Sequence, residues 1–354
     1  MTDRQVQRAG NDATQVQVMQ NELTPEQLAV VLNLAREVAT DQARHAAAEY
    51  SLRAQADAQD RIDKLNDRVL SILASERRLG SFQDPGFQWL LRKAQIGAAT
   101  TDRDADHDLL ATLLSERART GAADRLARAA LERAVEIVDK SDDQAVAALT
   151  AFSLLDHARP VHASILVGMR QFDRYVSLAL PAGPPTSDGW VEHLFLLDAI
   201  TINYVKHYKK WADFFPQTHL TGYLSSGVPA GSEEEAAVVA RLLAEAPTLQ
   251  FPVLDHELKP GFRRVGATSA NALLGSLPAG TSPAQSELVQ WAAERMHLSE
   301  VDSSLLLPLV NAWDSYPHNR ALREWWDSLP QEAPTPTQVG RIIGRANLRR
   351  LTRQ

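Results

Sequence analysis

The chain has 354 residues, of which 44% are hydrophobic and 23% charged, and its formal net charge is −7. This is ordinary globular composition, and it excludes both a chain disordered throughout and a generally basic protein that coats nucleic acid. There is no cysteine, which removes disulfides and thiolate metal sites and fits a cytoplasmic setting. The opening MTDRQVQRAGND has no apolar signal core, and no stretch holds the ~18–20 uninterrupted apolar residues of a membrane span, so no membrane partner is expected.

Residues 1–23 predict a short β-segment. Gln15, Val16, Gln17, Val18, Met19 and Gln20 alternate polar and apolar, the period of a strand. One strand cannot satisfy its own backbone groups, and the rest of the chain predicts few partners for it. The same segment from other copies would supply them, with Gln15, Gln17 and Gln20 in amide ladders and Val16 and Val18 packed inside. A homo-oligomer is therefore expected. The competing reading is a polar tail that happens to alternate.

Residues 24–79 predict a long helix or a helical hairpin. Thr24, Pro25, Glu26 and Gln27 form a start signal: an N-cap, a proline in the first turn and a glutamine placed for a capping box. No further Gly or Pro occurs up to Leu79. Leu28, Val31, Ala35 and Val38 form one apolar seam, and Ile62, Leu65, Val69 and Ile72 a second; both are candidate oligomerisation surfaces. Leu28 and Ile62 are 34 positions apart, so the two seams do not share one heptad register. Between them, Glu49 with Arg53, Asp57 with Arg61 and Asp60 with Lys64 are spaced for i,i+4 ion pairs.

Residues 80–158 predict a helical array. Asp84-Pro85-Gly86 opens a helix whose buried face comprises Phe87, Leu90, Leu91, Ala94 and Ile96. After the acidic turn TTDRDADHD, Leu109, Leu110, Leu113 and Leu114 continue the pattern, followed by Leu126, Ala130, Ala134, Ile137 and Val138 and an apolar helix over 145–155. Residues 159–334 are punctuated by Pro and Gly and predict helices near 188–215, 232–246, 283–297 and 299–315. LQFPVL (249–254) reads as a short strand that Pro252 confines to an edge or bulge. Trp190, Trp211, Trp291, Trp313, Trp325 and Trp326 are read as packing residues.

Familiar chemistry is missing at the level of motif. Asp102, Asp104 and Asp106 alternate like calcium ligands, but His107 and Leu113 stand where an EF loop needs Gly and Glu. His157 and His162 are five apart with Pro160 between them, a poor metal spacing on a helix. No HExxH, GxGxxG, GxSxG or phosphate-cradling Gly-Lys-Ser/Thr loop occurs. Glu233, Glu234 and Glu235 follow Ser232 at a helix start and complement its dipole. Glu192, His193 and Asp198 carry no catalytic assignment beyond what any charged helix offers. NYVKHYKKW (203–211) interleaves Lys206, His207, Lys209 and Lys210 with aromatics; a helix with an aromatic core side is preferred to a base-stacking surface. No cofactor, metal or catalytic residue is assigned.

Residues 335–354 predict a basic helix capped by Thr337. Val339, Ile342, Ile343 and Ala346 form its apolar face, and Gly340 and Gly344 permit close approach of a neighbouring backbone. Arg341, Arg345 and Arg349 recur at i,i+4, followed by Arg350 and Arg353, and are candidate anion-binding residues. Either these arginines meet carboxylates and solvent, or they meet phosphate, nucleic acid included.

The opening Gly10-Asn11-Asp12-Ala13-Thr14-Gln15-Val16-Gln17, the central DPGFQWLLRKAQIGAATTDRDADHDLLATLLSER (84–117) and the closing PTPTQVGRIIGRANLRR together resemble a bacterial family of helical proteins known by locus-tag names. In relatives the opening reads G-D-N-S-T, so Ala13 here replaces a serine. The resemblance implies no catalytic residues to carry over, and it implies a place in bacterial conflict or defence. The expected architecture is mainly α: an N-terminal β-segment, a long coiled-coil-like helix and a multi-helix body. The expected role is a non-enzymatic oligomeric scaffold or sensor that meets a protein partner through its C-terminal helical region. A nucleic-acid-binding regulator and an enzyme on an unfamiliar helical fold are the alternatives.

Overall fold

The computed structural model describes residues 25–121, 124–205, 207–330 and 332–352. The β-segment with Gln15, Val16, Gln17 and Val18, the Thr24 cap, Lys206 and Arg353 lie outside the described residues. The fold is mainly α. In chain order the elements are α1 (Pro25–Ser75), α2 (Pro85–Thr100), α3 (Asp104–Arg119), α4 (Arg125–Ile137), α5 (Asp143–His157), α6 (Ile165–Ala179), α7 (Gly189–Leu196), β1 (Ile200–Asn203), α8 (Trp211–His219) and β2 (Val228–Pro229). There follow α9 (Glu233–Glu245), β3 (Val253–Asp255), β4 (Phe262–Val265), α10 (Ala270–Gly275), α11 (Pro283–Arg295), α12 (Leu306–Asp314), α13 (Pro317–Ser328), β5 (Ala333–Pro336) and α14 (Gln338–Thr352).

The chain divides into two compact units, residues 1–57 and residues 58–354. The described part of the first is the N-terminal portion of α1, which carries the Glu49–Arg53 pair at 2.5 Å. The second unit begins with the remainder of α1. There Leu65, Val69 and Leu73 have at most 1% of their surface exposed and join the chain's own core beside Phe87, Leu90 and Leu110. Arg68 pairs with Asp104 at 2.8 Å and Asp108 at 2.7 Å on α3, and Asn66 accepts from Gln95 of α2 at 2.9 Å. The expectation that Leu65 and Val69 face another copy is thus corrected: an amphipathic seam states that something covers it, and here α2 and α3 do.

Helix starts follow their capping residues. Asp84, Asp142, Ser164 and Ser232 accept from backbone N–H groups of the first turn, and Ser282 completes a capping box with Gln285 ahead of Pro283. Several helix ends lack their usual glycine. Arg77, Asp198 and His297 have φ of 56°, 57° and 54°, and each is followed by an N–H that reaches five residues back: Arg78 to Leu73, Ala199 to Leu194 and Leu298 to Ala293. This is the Schellman closure with a non-glycine residue in the left-handed position. Arg77→Gly should therefore raise the stability of the chain by about 1 kcal/mol, read as a higher urea midpoint at unchanged slope.

The stop at Asp198 also corrects the helix expected over 188–215. After α7 the chain turns into β1, which pairs antiparallel with β5 in the register Ile200 to Pro336. Residues 204, 205 and 207–210 then lead to α8 without helix. Ile96 and Leu126, expected on buried faces, are 63% and 73% exposed. The strand read in LQFPVL begins after its proline, at Val253, and pairs with the central strand of a sheet ordered β2, β4, β3.

Two apolar cores fill the second unit. The larger gathers α2 to α8, α12, α13 and α14; the smaller is built on β4, α9, α10 and α11 around Val238, Val265, Val289 and Met296. Tryptophans serve the larger core as expected. Trp211 and Trp313 are fully buried with centroids 4.5 Å apart, and Trp325 and Trp326 pack around Phe152 and Tyr208. Trp326 Nε1 donates to the Lys209 carbonyl and Tyr208 Oη to that of Pro334, so Tyr208 and Trp211 of NYVKHYKKW join the core while Tyr204 is exposed.

A buried ion pair lies between the two cores. Arg264 on β4 has no exposed surface. Its guanidinium donates to the carbonyls of Val265 and Ala163, stands 3.5 Å from Glu257 Oε2 and lies over the ring of Tyr223. Glu257 in turn accepts at 2.6 Å from Ser164 Oγ and from the Ile165 N–H at the start of α6. Burial pushes its pKa up, but the hydrogen bonds from Ser164 and Ile165 and the charge of Arg264 outweigh burial and hold it below the ordinary carboxylate range.

Candidate functional site

The candidate site is built around α14. Thr337 accepts from the Gly340 N–H and donates to the Asp198 carbonyl, so the cap read from the sequence also anchors the helix to the end of α7. Gly340 and Gly344 then bring α14 against backbone. A Cβ on Gly340 would lie 2.1 Å from the Ala199 carbonyl oxygen, and one on Gly344 2.2 Å from that of Leu149. Only hydrogen fits at either place. Ile343 and Ala346 are fully buried, and Asn347 Nδ2 donates to Thr150 Oγ1 at 2.8 Å.

This close seating divides the arginines. Arg349 pairs with Glu116 of α3. Arg350 bonds the Asn347 side chain at 2.8 Å and approaches Asp108 at 3.6 Å, and burial lowers its pKa. Two of the four candidate anion-binding residues thus already hold partners within the chain. Arg341 and Arg345 are exposed. They follow one helical stripe that ends at Leu348, the i+7 position from Arg341, and reach the region around His157 at the end of α5.

His157 has its pKa lowered by burial first and then by the charges of Arg345, Arg159 and Arg341, with Asp156 opposing. Arg159 also contacts His219 Nδ1 at 3.3 Å. His219, likewise lowered by burial and by Arg159, extends the same field. Beside these groups opens a cleft of about 380 Å³, lined by His157, Arg159, Pro160, Phe172, Tyr175 and Leu348 among others. Sequence reading missed it because its walls come from α5, the loop after it, α6 and α14. The one local signal was the cation and proline of HARPV at the end of an apolar helix.

A second cavity of about 180 Å³ lies where α3, α5 and α14 meet, lined by Arg103, Asp106, Asp143, Asn347 and Arg350 among others. Asp106 is 2% exposed, and burial raises its pKa against the hydrogen bond from Thr101 at 2.7 Å. Arg103 meets Asp143 and stands 3.6 Å from Asp106. These groups neutralise one another across three helices, and none is a nucleophile held by a base. Of the calcium-like series Asp102, Asp104 and Asp106, the second meets Arg68 and the third Thr101. Among the described residues no group of three or more His, Asp or Glu side chains is placed to hold a metal ion.

The remaining predicted residues lie on α1. Leu28 and Val31 fall within its first turns, and Ile62 is half-buried in the second unit. Val38 is 50% exposed, and the same stretch exposes Val30 at 67% and Leu34 at 60%. No described helix is long and apolar enough to cross a membrane.

A family model whose description reads only “:-like” matches residues 30–250, more than half of the chain. No curated protein and no solved structure matches it.

Proposed function

The chain belongs to the “:-like” family whose model covers residues 30–250, and since that description carries no activity, we propose from the chain's own residues that it is a non-enzymatic homo-oligomeric scaffold or sensor. The observation that carries this reading is the exposure of Val30, Leu34 and Val38, spaced i, i+4 and i+8 on α1. A helix of the first unit with apolar side chains in water gains little from propensity alone and needs a partner surface.

A second copy of the same helix is the occupant that fits. Apolar residues concentrate over 28–38, whereas residues 39–51 are Ala-rich and polar, with Asp41, Arg44, His45 and Glu49 of both signs. Parallel alignment places apolar turns on apolar turns and leaves the mixed charges to pair across; antiparallel alignment lays apolar turns on charged ones. Copies aligned in parallel also bring their 14–20 segments together, as an intermolecular β-assembly requires. The resemblance to bacterial conflict-associated proteins supports a phage-defence or stress response as the setting of such a scaffold, with the body supplying the surface for a partner.

Light scattering of the full chain tests this. The expected result is a defined oligomer, with the V30Q/L34Q/V38Q variant falling to monomer at the same concentration and its dissociation constant rising at least about a hundredfold, since each apolar side chain contributes ~1.5–3 kcal/mol on burial. Glutamine keeps helix propensity high, so circular dichroism should change little. A monomeric wild type, or an oligomer indifferent to these substitutions, overturns the reading.

A further inference from the structure

The cleft at the end of α5 carries an inference independent of assembly. We infer that it binds a small aromatic phosphate monoester, with the ring in the cleft and the phosphate at the rim formed by Arg159, Arg341 and Arg345. Its volume of about 380 Å³ suits a single ring with a short polar arm. Phe172 and Tyr175 of α6 give it aromatic walls, and Pro160 and Leu348 add aliphatic ones. Gly168 of α6 also lines it, and a Cβ there would meet Tyr223 Oη at 2.4 Å, so this wall stays bare and flat.

Charge selects the anion. Arg159 lines the cleft, and Arg345 and Arg341 precede the lining residue Leu348 by one and two turns of α14. Guanidinium groups from the loop after α5 and from α14 match a dianionic phosphate better than a carboxylate. None of the three forms an ion pair with another described residue, in contrast to Arg349 and Arg350. Guanidinium forks suit phosphate oxygens. Burial is the first cause of the depressed His157 pKa, and the charges of Arg345, Arg159 and Arg341 lower it further. Arg341 and Arg345 are presented from one rigid helix, because Gly340 and Gly344 fix α14 against the backbone, so little ordering is needed on binding.

Titration calorimetry of the full chain with phenyl phosphate, inorganic phosphate and benzoate tests the assignment. Phenyl phosphate should bind with a dissociation constant below ~1 mM, and each of the two fragments at least about tenfold more weakly. R341A/R345A, altered only at exposed positions, should keep its circular dichroism and weaken phenyl phosphate at least about tenfold; R159A should weaken it without any change in particle mass. Inorganic phosphate binding as well as phenyl phosphate would reduce the cleft to a cationic patch and overturn the proposal. No heat with phenyl phosphate up to ~10 mM overturns it as well, that concentration lying far beyond the range of a built site. So does single-stranded DNA binding more tightly than phenyl phosphate with steep salt dependence, the signature of a nucleic-acid backbone. None of these outcomes depends on whether α1 assembles.

Discussion

Gly344→Ala should be among the most damaging single-methyl changes in this protein, destabilising it by at least ~3 kcal/mol, the upper end of overpacking costs. The added carbon would stand 2.2 Å from the Leu149 carbonyl oxygen and 2.4 Å from Ser153 Oγ. One of these neighbours is backbone inside α5 and cannot rotate away, so α14 must lift. Lifting strips Ile343 and Ala346 of their contacts and separates Asn347 from Thr150. Urea unfolding measures the loss, and Gly340→Ala should behave alike because the Ala199 carbonyl blocks it at 2.1 Å. Gly189→Ala is the control: it lies in the first turn of α7 with nothing within 4 Å of the new carbon, and it should be neutral or stabilise by up to ~1 kcal/mol. Equal gains at positions 189 and 344 would show that helix propensity, rather than close approach, governs these sites.

Arg264→Met should cost ~3–5 kcal/mol, the range for breaking a buried pair. The substitution removes a charge that is wholly out of water, leaves Glu257 facing the start of α6 without its cation, and orphans the Ala163 carbonyl. Methionine keeps much of the volume, so the loss reports electrostatics more than cavity formation. R264M/E257Q should recover part of it, because the uncompensated carboxylate is gone. The smaller core around Val238, Val265 and Val289 should then become the first region cleaved in limited proteolysis. A double variant as unstable as the sum of its parts would mean that the two groups act separately and that Arg264 serves mainly as a donor to carbonyls.

Helix starts were legible in the sequence because a cap is a local device: Asp84-Pro85, Ser232 before three glutamates and Thr337 all mark helices where they were read. The stop at Asp198 was not, because a non-glycine residue occupies the place where glycine is the usual signal. That is why residues 188–215 read as one helix although the chain turns at Asp198 to pair Ile200 with Pro336. Apolar seams were visible, but not what covers them; Leu65 and Val69 carry the same pattern as Val31 and Val38, yet α2 and α3 fill it. The arginine row was visible as a row. Its division was not, since Arg349 meets an acid 233 positions away and the loop after α5 supplies Arg159. Spacing within one helix contains no information about either.

The position of α14 also bears on the order in which the chain acquires its structure. Asn347 bonds Thr150 across 197 positions, and β1 waits for β5 across more than a hundred. The array of α2 to α5 therefore leaves the ribosome with a groove along α5 that only a much later segment can close. At ~5–20 residues per second, that groove stays open for roughly ten to forty seconds of synthesis. Leu149, Phe152 and their neighbours are exposed to other nascent chains throughout that interval. A chaperone that holds apolar helices should engage this protein early and release it once α14 has docked.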